Sequence, residues 1–333
     1  MIDMHNHLRL SHLEPQPARQ VLDPPVAYVL EAIHHLTLNL RSGVTTMRCN
    51  GDRDFIDLEV RRAVNSGRVP GPRLLVATRG IKATTCTGGM VATVLVDDTQ
   101  QILDAIRANV AAGADHIKIF TSGGLGPAET ATASFWRGDQ IQAAVVEAHA
   151  LGVPIVAHCH GGSSARALIE AGVDVLEHGS FLTQAELDLM AHRGVRLDMT
   201  LGILLDPASE ARQHLIASLG QHGFEAMVDQ TLTTMRRAIT MGVPIVLGTD
   251  TMHGLLAFEA RQAAELGMPN AVVVETLTAR AAQTLGKADR FGSLQAGRAA
   301  DLVALDGDPL ADISALERVA FVMARGAMVR TAT

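Results

Sequence analysis

The sequence predicts an α/β fold, a (β/α)8 TIM barrel with a short C-terminal β segment, and three observations predict it. Short apolar runs alternate with longer helical patterns through most of the 333 residues, as parallel βαβ units require. Eight such runs can be counted, which is the barrel number. Glycine recurs at Gly113, Gly152, Gly172, Gly194 and Gly242, where a residue without Cβ closes a helix just before the next strand.

Taken in order, the strands are expected at Ile2–Asn6, Val44–Cys49, Arg73–Thr78, His116–Thr121, Pro154–His158, Val173–His178, Val195–Thr200 and Pro244–Asp250. Each is nearly all apolar, as befits strands covered on both faces. Helices fill the gaps, among them Thr99–Ala112 and Gln140–Leu151. After Asp250 the pattern changes. Ala271–Leu285 reads as one helix, glycine turns lead into a short strand ending at Leu305, and Val319–Met323 and Ala327–Arg330 suggest two more strands. A barrel domain over residues 1–286 and a C-terminal segment over 287–333 follow. The segment is too short for its own core and should pack on the barrel or on a partner.

Hydrophobic residues make up 47% of the chain and charged residues 19%, which supports a large core and excludes disorder. Aromatics are only 3%, so that core must be aliphatic. A net charge of −7 without a basic run argues against nucleic acid as partner. Cys49, Cys86 and Cys159 form no close pair, so a reducing, cytoplasmic setting is expected. No apolar run reaches membrane-spanning length. The chain opens on Met1-Ile2-Asp3-Met4-His5, already strand-like, so a leading segment is expected to be missing, and any targeting signal with it.

In a strand, residues two apart share a face, so His5 and His7 can both aim into the barrel mouth. An H-x-H pair is weak alone among 14 histidines, and His158 with His160 is a second one. His158, His178 and Asp250 change the picture, because each closes a different apolar strand. The carboxyl ends of barrel strands face one mouth. Polar groups buried there need partners, and a metal ion supplies them. Any one of these histidines alone reads equally as structural; the set reads as metal.

Lys118 lies in His116-Ile117-Lys118-Ile119-Phe120, a strand that should be buried on both faces. An unpaired lysine there costs several kcal/mol. Either it pairs with Asp250 or Glu177, or burial lowers its pKa so that the neutral amine reacts with carbon dioxide. The resulting carbamate would offer two oxygens to two cations. Arg48 reads as a clamp for a substrate carboxylate or as a structural ion pair. Phe135 and Trp136 would wall an apolar pocket or simply pack. His253 would line the mouth or begin a helix.

Ile2-Asp3-Met4-His5-Asn6-His7-Leu8, Gly43-Val44-Thr45-Thr46-Met47-Arg48, Gly113-Ala114-Asp115-His116-Ile117-Lys118-Ile119, Ala157-His158-Cys159-His160-Gly161, Gly172-Val173-Asp174-Val175-Leu176-Glu177-His178-Gly179 and Gly248-Thr249-Asp250 together resemble the metal-dependent amidohydrolase superfamily. Within it, they are most similar to the branch of imidazolonepropionase-related and Xaa-Pro or Xaa-Arg type dipeptidases. The likeness runs from Met1 to the tail, where Ala300-Asp301-Leu302-Val303 takes part. It implies two divalent metal ions, zinc first, with Fe, Mn or Co as alternatives. His5, His7 and Asp250 would hold one ion and His158 and His178 the other. Carboxylated Lys118 and a hydroxide would bridge them. Asp250 would be the catalytic proton carrier. The family position favours His158 over His160 as ligand, leaving His160 behind it or against substrate.

The implied activity is hydrolysis of an amide bond in a small molecule, a dipeptide or N-acyl amino acid. Lactam, lactone, imidazolone, carbamate or aryl-amide hydrolysis is the alternative within the superfamily, and a truncated, non-catalytic binding barrel the alternative outside it. Deamination fits less well, since single-metal deaminases of this superfamily generally lack the lysine seen at Lys118. Two departures stand out. Met90 follows Thr87-Gly88-Gly89 where many relatives have His. The leading segment that pairs with the tail in relatives is expected to be missing, which would leave the tail with an exposed strand edge; either the natural start lies upstream of Met1, or a second subunit of a homo-oligomer covers that edge.

Overall fold

The structure, a computed structural model, describes residues 1–90 and 92–331; the last two residues of the expected C-terminal segment lie outside them. Strands β1 (Ile2–Asn6), β2 (Thr46–Cys49) and β3 (Arg73–Val76) form one parallel sheet. A second parallel sheet has the order β10-β9-β8-β7-β6-β4-β5. Its strands are β4 (Gly80–Ala83), β5 (Ala92–Val96), β6 (Ile117–Phe120), β7 (Ile155–Cys159), β8 (Val175–His178), β9 (Arg196–Met199) and β10 (Ile245–Leu247).

Two seams join these sheets into a barrel. At the first, β3 and β4 act as one bent stave: β3 pairs with β2, the chain turns at Thr78 (φ 64°), and β4 pairs with β6. At the second, Asn6 bridges Asp250, and the Asp250 amide donates to the His5 carbonyl at 2.7 Å. Asp3 clasps this seam. Its carboxylate accepts from the Thr249 amide and hydroxyl and from Asn6 Nδ2, at 3.1, 2.7 and 2.9 Å. With β3 and β4 counted as one stave and β5 outside the ring, eight staves close the barrel.

The expected strand Arg73–Thr78 is therefore shorter than the sequence suggests, and β4 and β5 are additions to it. The break has a local cause. The Thr78 amide donates to the Asp57 carboxylate at 2.8 Å, and its carbonyl accepts from the Asp52 amide at 2.7 Å, so neither group is free for a ladder. Likewise, the single helix expected over Ala271–Leu285 is two, Asn270–Thr276 and Ala279–Thr284. Between them the Leu277 carbonyl is turned to accept the Ile2 amide at 2.8 Å. Helix Thr99–Ala112 and its left-handed Gly113 cap (φ 109°) match the expectation.

Most of the core is aliphatic and lies between the strands and the outer helices. A smaller cluster plugs the amino-terminal end of the strands, where Ile2, Met4, Val156, Val175 and Val246 meet Ala281, Ala282 and Phe291. Strands β11 (Leu302–Leu305), β12 (Val319–Ala324) and β13 (Ala327–Thr331) form an antiparallel sheet in that order. It is anchored by Asp301, which accepts from Arg73 at 2.8 Å. The outer edges of β11 and β13 pair with no described strand. No helix among the described residues is long and apolar enough to cross a membrane.

Gly248, at the end of β10, has no room for a side chain: an added Cβ would lie 2.4 Å from the His5 Cβ and 2.5 Å from its amide nitrogen. Gly248→Ala should therefore force the second seam apart and destabilise the fold by about 3 kcal/mol. A urea titration with a lower midpoint and unchanged slope would show this; an unchanged midpoint would mean the seam is loose.

Candidate metal centre

Five strand ends bring their polar groups to one rim. His5 Nε2 and His7 Nε2 lie 3.5 and 3.3 Å from Asp250 Oδ1. The His5 and His178 rings are 5.2 Å apart, and those of His158 and His178 4.7 Å. Lys118, fully buried, reaches the same space from β6. All six residues that the sequence singles out as ligands thus face one cavity of about 540 Å³. His178 and Asp250 take left-handed backbone conformations, φ 71° and 57°. Such strain in non-glycine residues collects where a side chain must be aimed.

Hydrogen bonds fix which ring nitrogen is free. His7 Nδ1 donates to the Gly51 carbonyl at 2.8 Å, and His158 Nε2 donates to the Gly123 carbonyl at 2.8 Å. A carbonyl can only accept, so His158, neutral at this burial, keeps its lone pair on Nδ1, while His7 turns Nε2 towards Asp250. His178 uses Nδ1 on the Thr200 hydroxyl at 2.8 Å, which leaves Nε2. Burial holds His5 and His178 well below the usual imidazole range and brings His158 down to about 4. These rings are therefore neutral near pH 7, the form that binds metal. Burial raises the Asp250 carboxyl, but its hydrogen bond to His7 and the surrounding positive groups outweigh that, and it stays ionised.

A buried charge layer lies beneath the rim. Arg48 donates to the Met4 carbonyl at 2.5 Å and to Asp198 at 2.8 Å, and it lies 3.4 Å from Glu177. It is a structural ion pair; with 3% exposure and no part in the cavity, it cannot clamp a substrate. Lys118 is paired with Glu177, one of the two partners the sequence suggested. Burial brings the amine down to about 7, with Asp250 opposing. His5 Nδ1, beside this pair, completes no hydrogen bond. The nearest ligand atoms of His5, His7 and Asp250 lie within 4.8 Å of one another, as do those of His5, Glu177 and His178. An unsatisfied buried ring nitrogen of His5 and clustered imidazole and carboxylate donors fit a divalent metal centre.

Three other residues take different places from those expected of a pocket wall. His253 stacks on His35 at 4.0 Å and donates or accepts at Leu10 and Asn39, below the loop that follows β1. Trp136 is 4% exposed within the main core, where a large apolar ring gains most; its neighbour Phe135 packs against the same core. His160 does line the cavity, stacked on His178 at 5.1 Å and held by the Ser180 hydroxyl at 3.1 Å. Sequence reasoning missed His12, which also lines it and is fixed by the Thr251 hydroxyl at 2.5 Å. Nothing in the irregular loop around His12 marks it beforehand. A second cavity of about 370 Å³ lies at the opposite end of the barrel, but its one carboxylate, Asp301, is already bonded to Arg73.

The pattern of the amidohydrolase family matches residues 1–329. An ochratoxinase of Aspergillus niger is 26% identical over 306 residues, 84% of this chain. The chain spans 63% of that relative's length. Among solved structures, a Xaa-Pro dipeptidase with methionine bound in its active site is 28% identical with a TM-score of 0.86, covering 98% of this chain and 85% of the other. A prolidase complexed with N-methylphosphonate-L-proline is 25% identical with a TM-score of 0.84, covering 99% and 86%.

Burial of His12 and His158 makes stability depend on pH. Each ring is brought from 6.5 to about 4 by burial. Between those values the unfolded chain takes up protons that the folded chain refuses. Stability is therefore full above pH 6.5 and falls as pH drops towards 4, by up to about 1.4 kcal/mol per pH unit for each ring. Urea titrations of the metal-free protein should give a lower midpoint near pH 5 than near pH 7.5, and His12→Leu should flatten the difference. Equal midpoints would show that the folded protein accepts these protons.

Proposed function

This chain belongs to the amidohydrolase family, and from that premise we propose that its barrel mouth hydrolyses an amide bond in a small molecule of dipeptide or N-acyl amino acid size. The observation that carries this reading is the convergence of His5, His7, Lys118, His158, His178 and Asp250 on one cavity, with one ring nitrogen left uncommitted on each of His158 and His178. Similarity to a dipeptidase that holds methionine and to a prolidase that holds a proline phosphonate supports the size of the substrate.

His5, His7 and Asp250 would hold one divalent ion, and His158 and His178 a second, with zinc the first choice for an imidazole-rich set. Bound there, the ions would supply Lewis acidity, lowering the pKa of water and polarising the carbonyl. Lys118 would link the two halves of the site. At about 7 its pKa leaves much of the amine neutral at physiological pH. The nitrogen lone pair then adds to the carbon of carbon dioxide, a proton leaves, and a carbamate with two oxygens results. Asp250, ionised and on the cavity wall, takes the proton of the attacking water and returns it to the departing nitrogen. His160 would hold substrate or steady His178 beside it.

The experiment combines metal analysis with turnover. Purified protein given zinc or manganese with bicarbonate should carry two ions per chain and cleave N-acyl amino acid derivatives. Labelled carbon dioxide should yield a carbamate resonance. Lys118→Ala should abolish that resonance and lower kcat by ~100-fold or more. Full turnover in Lys118→Ala would remove the bridging role. A chain that binds no metal and gains no activity would instead be a non-catalytic barrel.

A further inference from the structure

Resting on the amide-hydrolase reading above, we propose that the mouth, among the described residues, offers no lysine or arginine to receive a substrate carboxylate, and that its natural substrates are amides left uncharged on the departing side. The size of the cavity suits a molecule such as an N-acyl amino acid, but its lining suits only a neutral form of one. Six lining residues, Leu10, Met90, Phe120, Leu125, Ile203 and Leu215, present apolar surface. Among the described residues, Lys118 is the only lysine or arginine in the lining, and it stands with the metal ligands where the scissile carbonyl must lie.

Apart from Arg19 and the exposed imidazole of His214, which lines the cavity, the other cations and donors nearby are already committed. Lys82 donates to the Gly88 and Gly89 carbonyls behind the cavity wall, at 3.2 and 3.4 Å. Arg212 lies over the Phe224 ring at 5.0 Å and donates to the Leu204 carbonyl at 3.2 Å. Arg9 is bound to Asp23 and Glu14 at 2.7 and 3.1 Å. The backbone amides of Leu201 and Gly202, beside Ile203, would make an anion site, but the buried carboxylate of Glu259 already accepts from both. His12 and His160 each give one nitrogen to a hydroxyl, of Thr251 and Ser180, and keep a single nitrogen for the cavity. A carboxylate is held well by a forked, charged donor; brought into this lining it would lose water and gain no such partner. Arg19, exposed on the short helix Pro17–Gln20, lies outside the lining, and His214 offers only a single imidazole in place of a forked donor.

The test compares N-acyl-leucine with its N-methylamide on the metal-loaded enzyme, following release of the acyl group. The kcat/KM of the N-methylamide should exceed that of the free acid by tenfold or more. A free acid cleaved as well or better would overturn the proposal, and so would a fall in free-acid turnover in Arg19→Ala. Ser218→Arg, which places a cation on an exposed position facing the cavity, should raise free-acid turnover relative to that of the N-methylamide. If neither compound is cleaved, the amide-hydrolase reading fails. Competition between non-hydrolysable phosphonate analogues in the two forms still decides the question, since tighter binding of the free acid would overturn the proposal and tighter binding of the N-methylamide would uphold it.

Discussion

Charge buried away from water is the constraint on which the rest of this barrel depends. Asp3, Arg48, Lys118, Glu177 and Asp198 are at most 3% exposed, and no solvent screens them. Such a group is tolerated only when it is paired or neutralised. Burial brings Lys118 down to about 7 and Asp198 up to about 7, so the layer beneath the rim sits where a single proton changes its balance. This bears directly on the proposed bridge. Turning Lys118 from an ammonium into a carbamate changes its charge by two units opposite Glu177. Only cations at the rim could offset that change, so modification of the lysine and binding of metal should occur together or not at all.

The same constraint explains what the sequence reveals. A polar residue that ends an apolar strand is conspicuous because burial without a partner is so unfavourable. His158, His178 and Asp250 could be read for that reason, and the structure brings them to one cavity with His5, His7 and Lys118. Strand positions were legible on the same ground, since apolar runs covered on both faces leave little ambiguity. Where reading went astray, the backbone was recruited by something distant in sequence. Asp57 and Asp52 interrupt the third strand at Thr78, and Ile2 interrupts the helix around Leu277. Neither interaction has a local signature.

Arg48 shows a subtler limit. A lone arginine at a strand end is compatible with substrate binding or with a structural pair, and only depth in the barrel separates the two. Here Asp198 and Glu177, from neighbouring strand ends, claim it. His12 shows the converse limit: it belongs to the cavity, but the loop that carries it has no periodicity from which its direction could be read.

Candidate metal ligands and cavity-wall residues are therefore legible to different degrees because they solve different physical problems. The first must be buried, polar and mutually close, which narrows both residue type and position. The second can be any apolar side chain that completes a wall, and Leu10, Leu125, Ile203 and Leu215 look in sequence like ordinary core residues. The division follows the architecture. Strand ends are held rigidly by the closed sheet, so they carry chemistry, while the loops and the helix Glu210–Thr240 that wall the cavity can vary without disturbing it. The sharp break at Gly220 (φ 72°, ψ 162°) within that helix marks where the wall departs from the barrel. A residue on the far side of such a break can be exchanged without moving the strand ends that carry His158, His178 and Asp250.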